Sequence, residues 1–203
     1  MQNAMSNLEK YINLEENTDP LVRAALVHYQ FETIHPFLDG NGRIGRMLIL
    51  LCFMEWGILQ TPILYVSYFL KKNQWEYYGK LATVRDTGNY EQWVLFFLEA
   101  VTAAARNAVE TIESLQNLSE FNLEKIRKVS RKGSYAENLL LSLSAHPIVT
   151  VKSVAEVLDV SRNTAQKAIL FLVDNGILKE TTNRSRNRVF AYTQYLDILR
   201  QGT

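Results

Sequence analysis

The chain has 203 residues, 47% hydrophobic and 21% charged, with a net charge of +1. That is the make-up of a foldable, soluble protein of one or two domains, each of about 100–150 residues. The longest wholly apolar run, Met47 to Met54, is far short of the roughly 18 residues that cross a bilayer, and the lone Cys52 excludes an internal disulfide. The polar Met1-Gln-Asn-Ala start carries no leader pattern, so a cytoplasmic protein with no membrane partner is expected.

The charge is unevenly spread. Residues 1–119 hold 9 Lys/Arg against 13 Asp/Glu, whereas residues 120–203 hold 13 against 8. An acidic first part and a basic second part suggest two modules, the second suited to a polyanion.

Residues 1–18 read as a short helix with Leu8, Tyr11 and Ile12 inward. Asp19-Pro20 is a helix start, with a capping carboxylate and a proline in the first turn. The helix it opens runs to about Thr33, buries Val22, Leu26 and Tyr29, and delivers His35 to a loop; His28 on it is read as structural or surface.

The loop is His-Pro-Phe-Leu-Asp-Gly-Asn-Gly-Arg-Ile-Gly-Arg, His35 to Arg46. Its two glycines and Asn41 favour a turn with positive φ, and Pro36 is expected to hold the His35 backbone extended. From about Arg43 to Trp56 apolar residues recur at helical spacing, nearly all round, so this helix should lie at the centre of a bundle. A glycine-rich loop entering a helix N-terminus offers bare N–H groups and a positive dipole end to an anion. Arg43 and Arg46 share one face of the first turn, and two guanidinium forks there suit a polyphosphate. Asp39 is a hard oxygen ligand for Mg²⁺ shared with phosphate oxygens, and His35 is the loop's proton acceptor near neutral pH. Phe37 is expected under the loop as an apolar anchor. Asp-Gly and Asn-Gly also signal hairpins, but the flanks are helix-periodic; a calcium loop would need a carboxylate where Leu50 stands.

Residues 58–66 read as a connector, and Ser67 as the cap of a helix to about Arg85 carrying Trp75, Tyr77 and Tyr78. Gly88 stops it, and a helix from about Tyr90 to Leu118 turns Trp93, Phe96, Phe97 and Val101 inward. With no alternating strand before residue 148, a first domain at 1–118 is all-α. Residues 119–133 form a linker or helix. A second domain at 134–203 begins with the capping box Ser134-x-x-Glu137 and a helix to about Ala145, ended by Pro147.

A short helix over 151–158 and a second from Ser161 to about Asp174 make a helix-turn-helix pattern. Residues 177–181 and 189–192 then read as a hairpin with Arg184, Arg186 and Arg188 on one side of its tip. In a nucleic-acid-binding reading Arg162, Asn163, Thr164, Gln166 and Lys167 open the recognition helix, and the tip arginines neutralise phosphate. The competing reading is a dimerisation or docking module with a solvated charged face. This part resembles winged-helix domains.

His35 to Arg46 resembles, at every specified position, the signature of Fic-domain proteins, His-Pro-Phe-x-Asp/Glu-Gly-Asn-Gly-Arg-x-x-Arg. The approach from Arg23 to Ile34, the pair Tyr77-Tyr78 and Asp86-Thr-Gly88 are also similar to that family, over roughly residues 5–115. The fold class expected is therefore mainly α, a Fic-type helical bundle followed by a small winged helix-turn-helix (α+β) domain. The resemblance implies a protein adenylyltransferase, which moves AMP from ATP to a Tyr, Thr or Ser hydroxyl of a protein. It implies His35 as the base, Mg²⁺ on Asp39, and nucleotide on Gly40, Asn41 (side chain included), Gly42, Arg43, Ile44, Gly45 and Arg46, with Tyr78 near the adenine. Alternatives are a nucleotide-sensing DNA-binding regulator, or another transfer at the same loop: AMP removal, UMP transfer or phosphate transfer. A homodimer is left open.

Relatives carry an inhibitory Ser/Thr-x-x-x-Glu-Gly/Asn helix and an upstream β-hairpin flap. Thr87-x-x-x-Glu91 is followed by Gln and is no convincing copy, and the flap is not found. A fragment, a shortened form, or control from elsewhere is expected.

Overall fold

The computed structural model describes residues 1–14, 17–129, 134–182, 184 and 187–201. The chain forms two compact units, Met1–Ala108 and Val109–Thr203. Among the described residues no helix is long and apolar enough to cross a membrane.

The first unit holds α1 (Gln2–Asn13), α2 (Pro20–Ile34), α3 (Asn41–Glu55), α4 (Val66–Lys72), α5 (Gln74–Thr87) and the first part of α6 (Glu91–Val129). Asp19 caps α2 as expected, its side chain accepting from the Leu21 and Val22 amides at 2.8 and 3.4 Å. Arg23, buried, donates to the carbonyls of Tyr11 and Ile12 at 2.7 and 2.8 Å and stacks over Trp56, which ties the end of α1 to α2. The core gathers Tyr29, Phe53, Tyr77, Trp93 and Phe97. Ala24 and Ala25 let α6 approach closely enough for the fully buried Trp93 to donate its indole N–H to the Ala25 carbonyl at 2.8 Å.

Several boundaries differ from the sequence reading. α1 ends at Asn13. α3 starts two residues earlier than Arg43, because Gly40 (φ 83°) takes the capping position and places Asn41 and Gly42 in the first turn. The helix expected over 67–85 is two helices broken at Asn73, whose side chain donates to the Phe69 carbonyl at 3.0 Å and ends the first. Gly88 (φ 70°) stops α5 as expected. α6 stays helical to Val129, past Leu118.

The second unit contains the later part of α6, α7 (Tyr135–Ser142), β1 (Ile148–Thr150), α8 (Val151–Val157), α9 (Arg162–Asp174), β2 (Lys179–Glu180), β3 (Val189–Ala191) and α10 (Thr193–Gln201). Its sheet is antiparallel in the order β1-β3-β2, with Ile148 opposite Ala191 and Lys179 opposite the same residue. Leu139, Leu143, Ile169, Leu172 and Phe190 fill the core under it. Ser134, Thr150 and Ser161 cap their helices by accepting amide bonds from Glu137, Ser153 and Thr164. A mainly helical chain ending in a small α+β unit is the architecture expected. β1 and α10 were not: β1 spans only three residues, and α10, although amphipathic, was not read from the sequence.

Candidate active site

α2 and α3 meet at a crossing that needs Gly45. A Cβ at Gly45 would lie 2.3 Å from Glu32 Oε1 and 3.2 Å from both His28 Cε1 and Phe31 Cδ1. The missing side chain is the space that α2 fills. His28, fully buried, bridges the same crossing: one ring nitrogen lies 3.0 Å from the Gly45 carbonyl and the other 3.0 Å from the Tyr77 hydroxyl. Burial lowers its pKa to about 4, so the ring is neutral at pH 7. A carbonyl only accepts, so Nδ1–H donates to Gly45 and Nε2 accepts from the Tyr77 hydroxyl. Burial also pushes the Tyr77 phenol well up, so it stays a donor. His28 therefore joins α2 to α3 and α5, a structural role as expected.

At the end of α2, His35 is exposed and left-handed (φ 50°, ψ 59°), with its amide donating to the Phe31 carbonyl at 3.0 Å. The extended backbone expected from Pro36 is not adopted. The turn that closes the helix sets His35, and the proline disfavours only a further right-handed residue. Phe37 is not an anchor under the loop: it is half exposed. Its backbone does the anchoring, because its N–H donates to Asn41 Oδ1 at 2.8 Å while its carbonyl accepts from Asn41 Nδ2 at 2.5 Å. The Asn41 side chain, expected on an anion, is buried and committed to this latch. What Asn41 offers a ligand is its backbone N–H.

The arginines fold back over the loop. Arg43 Nη2 lies 3.5 Å from the point where a Gly40 Cβ would stand, and Arg46 Nη1 lies 3.1 Å from the corresponding point at Gly42. The Arg43 and Ile44 amides both donate to the Gly40 carbonyl at 3.0 Å, which leaves those of Asn41 and Gly42 as the helix's first N–H groups. Each bare glycine thus has a guanidinium above it. Asp39 is exposed, accepts from the Gly40 amide at 2.7 Å, and stands 3.5 Å from Arg43 Nη2. Ile44 packs into the small cluster around Phe31 and Cys52, so within Gly40–Arg46 both Ile44 and Gly45 serve packing.

An open cleft of about 430 Å³ beside His35 is lined by Glu32, Thr33, His35, Tyr78, Leu81 and Arg85. Tyr78, half exposed, lies against Tyr77 with ring centroids 5.0 Å apart. The sequence reading missed Glu32, Thr33, Leu81 and Arg85. The signal was spacing: Tyr78, Leu81 and Arg85 recur at three and four residues on one face of α5, and Glu32 lies one turn before His35. The described residues contain no cluster of three metal-ligand side chains. Asp39 alone suits Mg²⁺, which binds through one or two carboxylates completed by phosphate and water.

In the second unit Arg162, Asn163, Gln166 and Lys167 are exposed on the face of α9 opposite the buried Ala165, Ala168 and Ile169. Thr164 is half-buried, and its hydroxyl lies 3.0 Å from Ser161 Oγ within the cap. Arg188, just before β3, is paired with Glu180 and lies over the ring of Phe190, the residue opposite Glu180 in the sheet. Arg184 is exposed, and Arg186 lies outside the described residues.

Fold and site together define a helical domain with a glycine-rich loop that leaves two bare amides at the start of α3. The profile of the Fic/DOC family matches residues 1–53, which contain that loop. The chain is 33% identical over 127 residues to protein adenylyltransferase fic-1 of Caenorhabditis briggsae, covering 57% of this chain and 24% of that one. It is 26% identical over 124 residues to a probable protein adenylyltransferase of Aquifex aeolicus, covering 59% of this chain and 34% of the relative. With protein adenylyltransferase Fic of Drosophila yakuba the identity is 32% over 92 residues, 44% of this chain and 18% of that one. A Fic family protein from Desulfovibrio desulfuricans G20 shares the fold, with a TM-score of 0.52 and 24% identity over 94% of this chain and 54% of that one. Over residues 1–53 the chain is similar to the Fic/DOC family. It spans about a third or less of the length of these curated relatives.

Proposed function

We propose that the chain is a protein adenylyltransferase. What supports this is the pair of bare amides at Asn41 and Gly42 with guanidiniums over the loop glycines, and a neighbouring cleft lined by His35 and Tyr78, whose wall residue Glu32 reaches the Gly42 side of α3. The target hydroxyl oxygen attacks the α-phosphorus of ATP, the bond to pyrophosphate breaks, and His35 takes the hydroxyl proton. The two amides and the helix dipole hold the anionic oxygens, and Arg43 and Arg46 hold the β- and γ-phosphates through to the leaving pyrophosphate. Bound on Asp39, Mg²⁺ would neutralise phosphate charge. Tyr78 and Leu81 give the nucleoside an aromatic and an apolar wall. Positioning and electrostatics carry the rest, with no covalent intermediate on the protein. A protein bearing a Tyr, Thr or Ser hydroxyl is the partner, and the cytoplasm the proposed setting.

The test is His35→Ala with ATP labelled in the α-phosphate. Label transfer to protein should fall by about 10²- to 10⁴-fold with ATP binding kept. Equal labelling by wild type and variant would refute the assignment. The mass added to a target separates adenylylation from UMP or phosphate transfer, or AMP removal.

A second reading concerns the second unit. Its helix order and small sheet support a winged-helix domain, and the polar face of α9 supports contact with duplex DNA. Salt-dependent binding to duplex checks it.

A further inference from the structure

Glu32 is a carboxyl that the transfer reaction, as proposed, does not use. It is the one acid in the cleft wall, it is only 7% exposed, and its Oε1 has no hydrogen-bond partner among the described residues. That oxygen is aimed at α3. It occupies the space beside Gly45 and lies 4.0 Å from the point where a Gly42 Cβ would stand, the same point that Arg46 Nη1 approaches to 3.1 Å. Carboxylate and guanidinium thus flank one bare glycine in the first turn of the anion-binding helix. The groups that face Glu32 are His28 from α2, His35 just past its end, Arg46 from α3, and Tyr77 and Arg85 from α5. Of the charged ones Arg46 acts on it most strongly.

A guanidinium carries five N–H donors in a rigid fork, and a terminal phosphate engages one edge of it. The edge turned toward the protein still needs an acceptor, and buried acceptors without a partner are rare in folded proteins. We propose that Glu32 is a positioning residue for Arg46: with a polyphosphate bound, its carboxylate accepts an N–H bond from the inner edge of the guanidinium, so that the outer edge meets the terminal phosphates. This rests on the anion site proposed above.

The probe is inorganic tripolyphosphate, titrated by calorimetry into the full chain, so that no transfer reaction is needed. Glu32→Gln keeps the shape and removes the charge. It should weaken binding about 10-fold, the difference between a charge-assisted and a neutral hydrogen bond, and Glu32→Asp should recover part of the loss. In an Arg46→Ala background Glu32→Gln should cost nothing further, because the residue acts only through that guanidinium. The thermal midpoint of Glu32→Gln should equal or exceed that of wild type, which a scaffolding role would not allow. Tripolyphosphate binding by wild type with additive losses in the double variant, or with no loss in Glu32→Gln, would overturn the proposal and leave the anion site standing. No binding of tripolyphosphate by wild type would overturn both.

Discussion

Gly45 shows how one missing methyl group organises the site. It lies inside a helix, where alanine would gain about 1 kcal/mol from propensity alone. The crossing with α2 opposes that gain, because a Cβ there meets two buried rings, at His28 and Phe31, as well as the Glu32 carboxyl. Overpacking of that kind costs about 1–3 kcal/mol. Gly45→Ala should therefore lower stability by about 1 kcal/mol in urea unfolding, and a more stable variant would mean that α2 and α3 separate freely. Asn41 teaches a related lesson. A motif asparagine in a glycine-rich loop invites a ligand role, yet its amide is spent on both backbone groups of Phe37. That bond fixes the loop between His35 and the start of α3, so the residue shapes the site without reaching into it.

At the scale of elements, His35 stands in the loop that joins α2 to α3, α3 supplies the two bare amides and the arginines, and α5 supplies Tyr78 and Arg85. The polar bridge through His28 holds these helices in register, so its worth is geometric as much as energetic. In the second unit α9 divides cleanly, with Ala165, Ala168, Ile169 and Leu172 buried on one side and Arg162 and Lys167 exposed on the other. If that outer side contacts phosphates, changing Arg162 and Lys167 together to alanine should reduce the slope of log affinity for duplex DNA against log salt by about 2. An unchanged slope would assign the face to solvent. Arg188, bound to Glu180, should contribute little to that slope.

At the scale of the molecule, the buried imidazole links folding to pH. The His28 ring titrates near 6.5 when unfolded and near 4 when folded. Below pH 6.5 the unfolded chain takes up a proton that the folded chain refuses. The contribution of His28 is therefore complete above 6.5 and lost as the pH falls toward 4, with a slope of at most about 1.4 kcal/mol per unit. Glu32 has the opposite sign, since burial raises its carboxyl and acidification relieves it. Replacing His28 by glutamine should flatten the fall in unfolding free energy between pH 6.5 and 4.5. An equal fall in wild type and His28→Gln would show that other groups drive it.

The chain's helical class, the motif and the charge contrast between its two parts were all legible in the sequence, because they follow from local periodicity, glycine and proline chemistry, and composition. The glycine-rich loop and its two arginines could be read together for the same reason: they are contiguous. Glu32, Leu81 and Arg85 were not: spacing places each on a face of its own helix, but only the folded structure brings the faces of α2 and α5 to one cleft. The break at Asn73, the Asn41 latch and the left-handed His35 likewise depend on which partner a polar group finds in the folded state. Local sequence settles which groups must be paired; the packed structure alone settles with what.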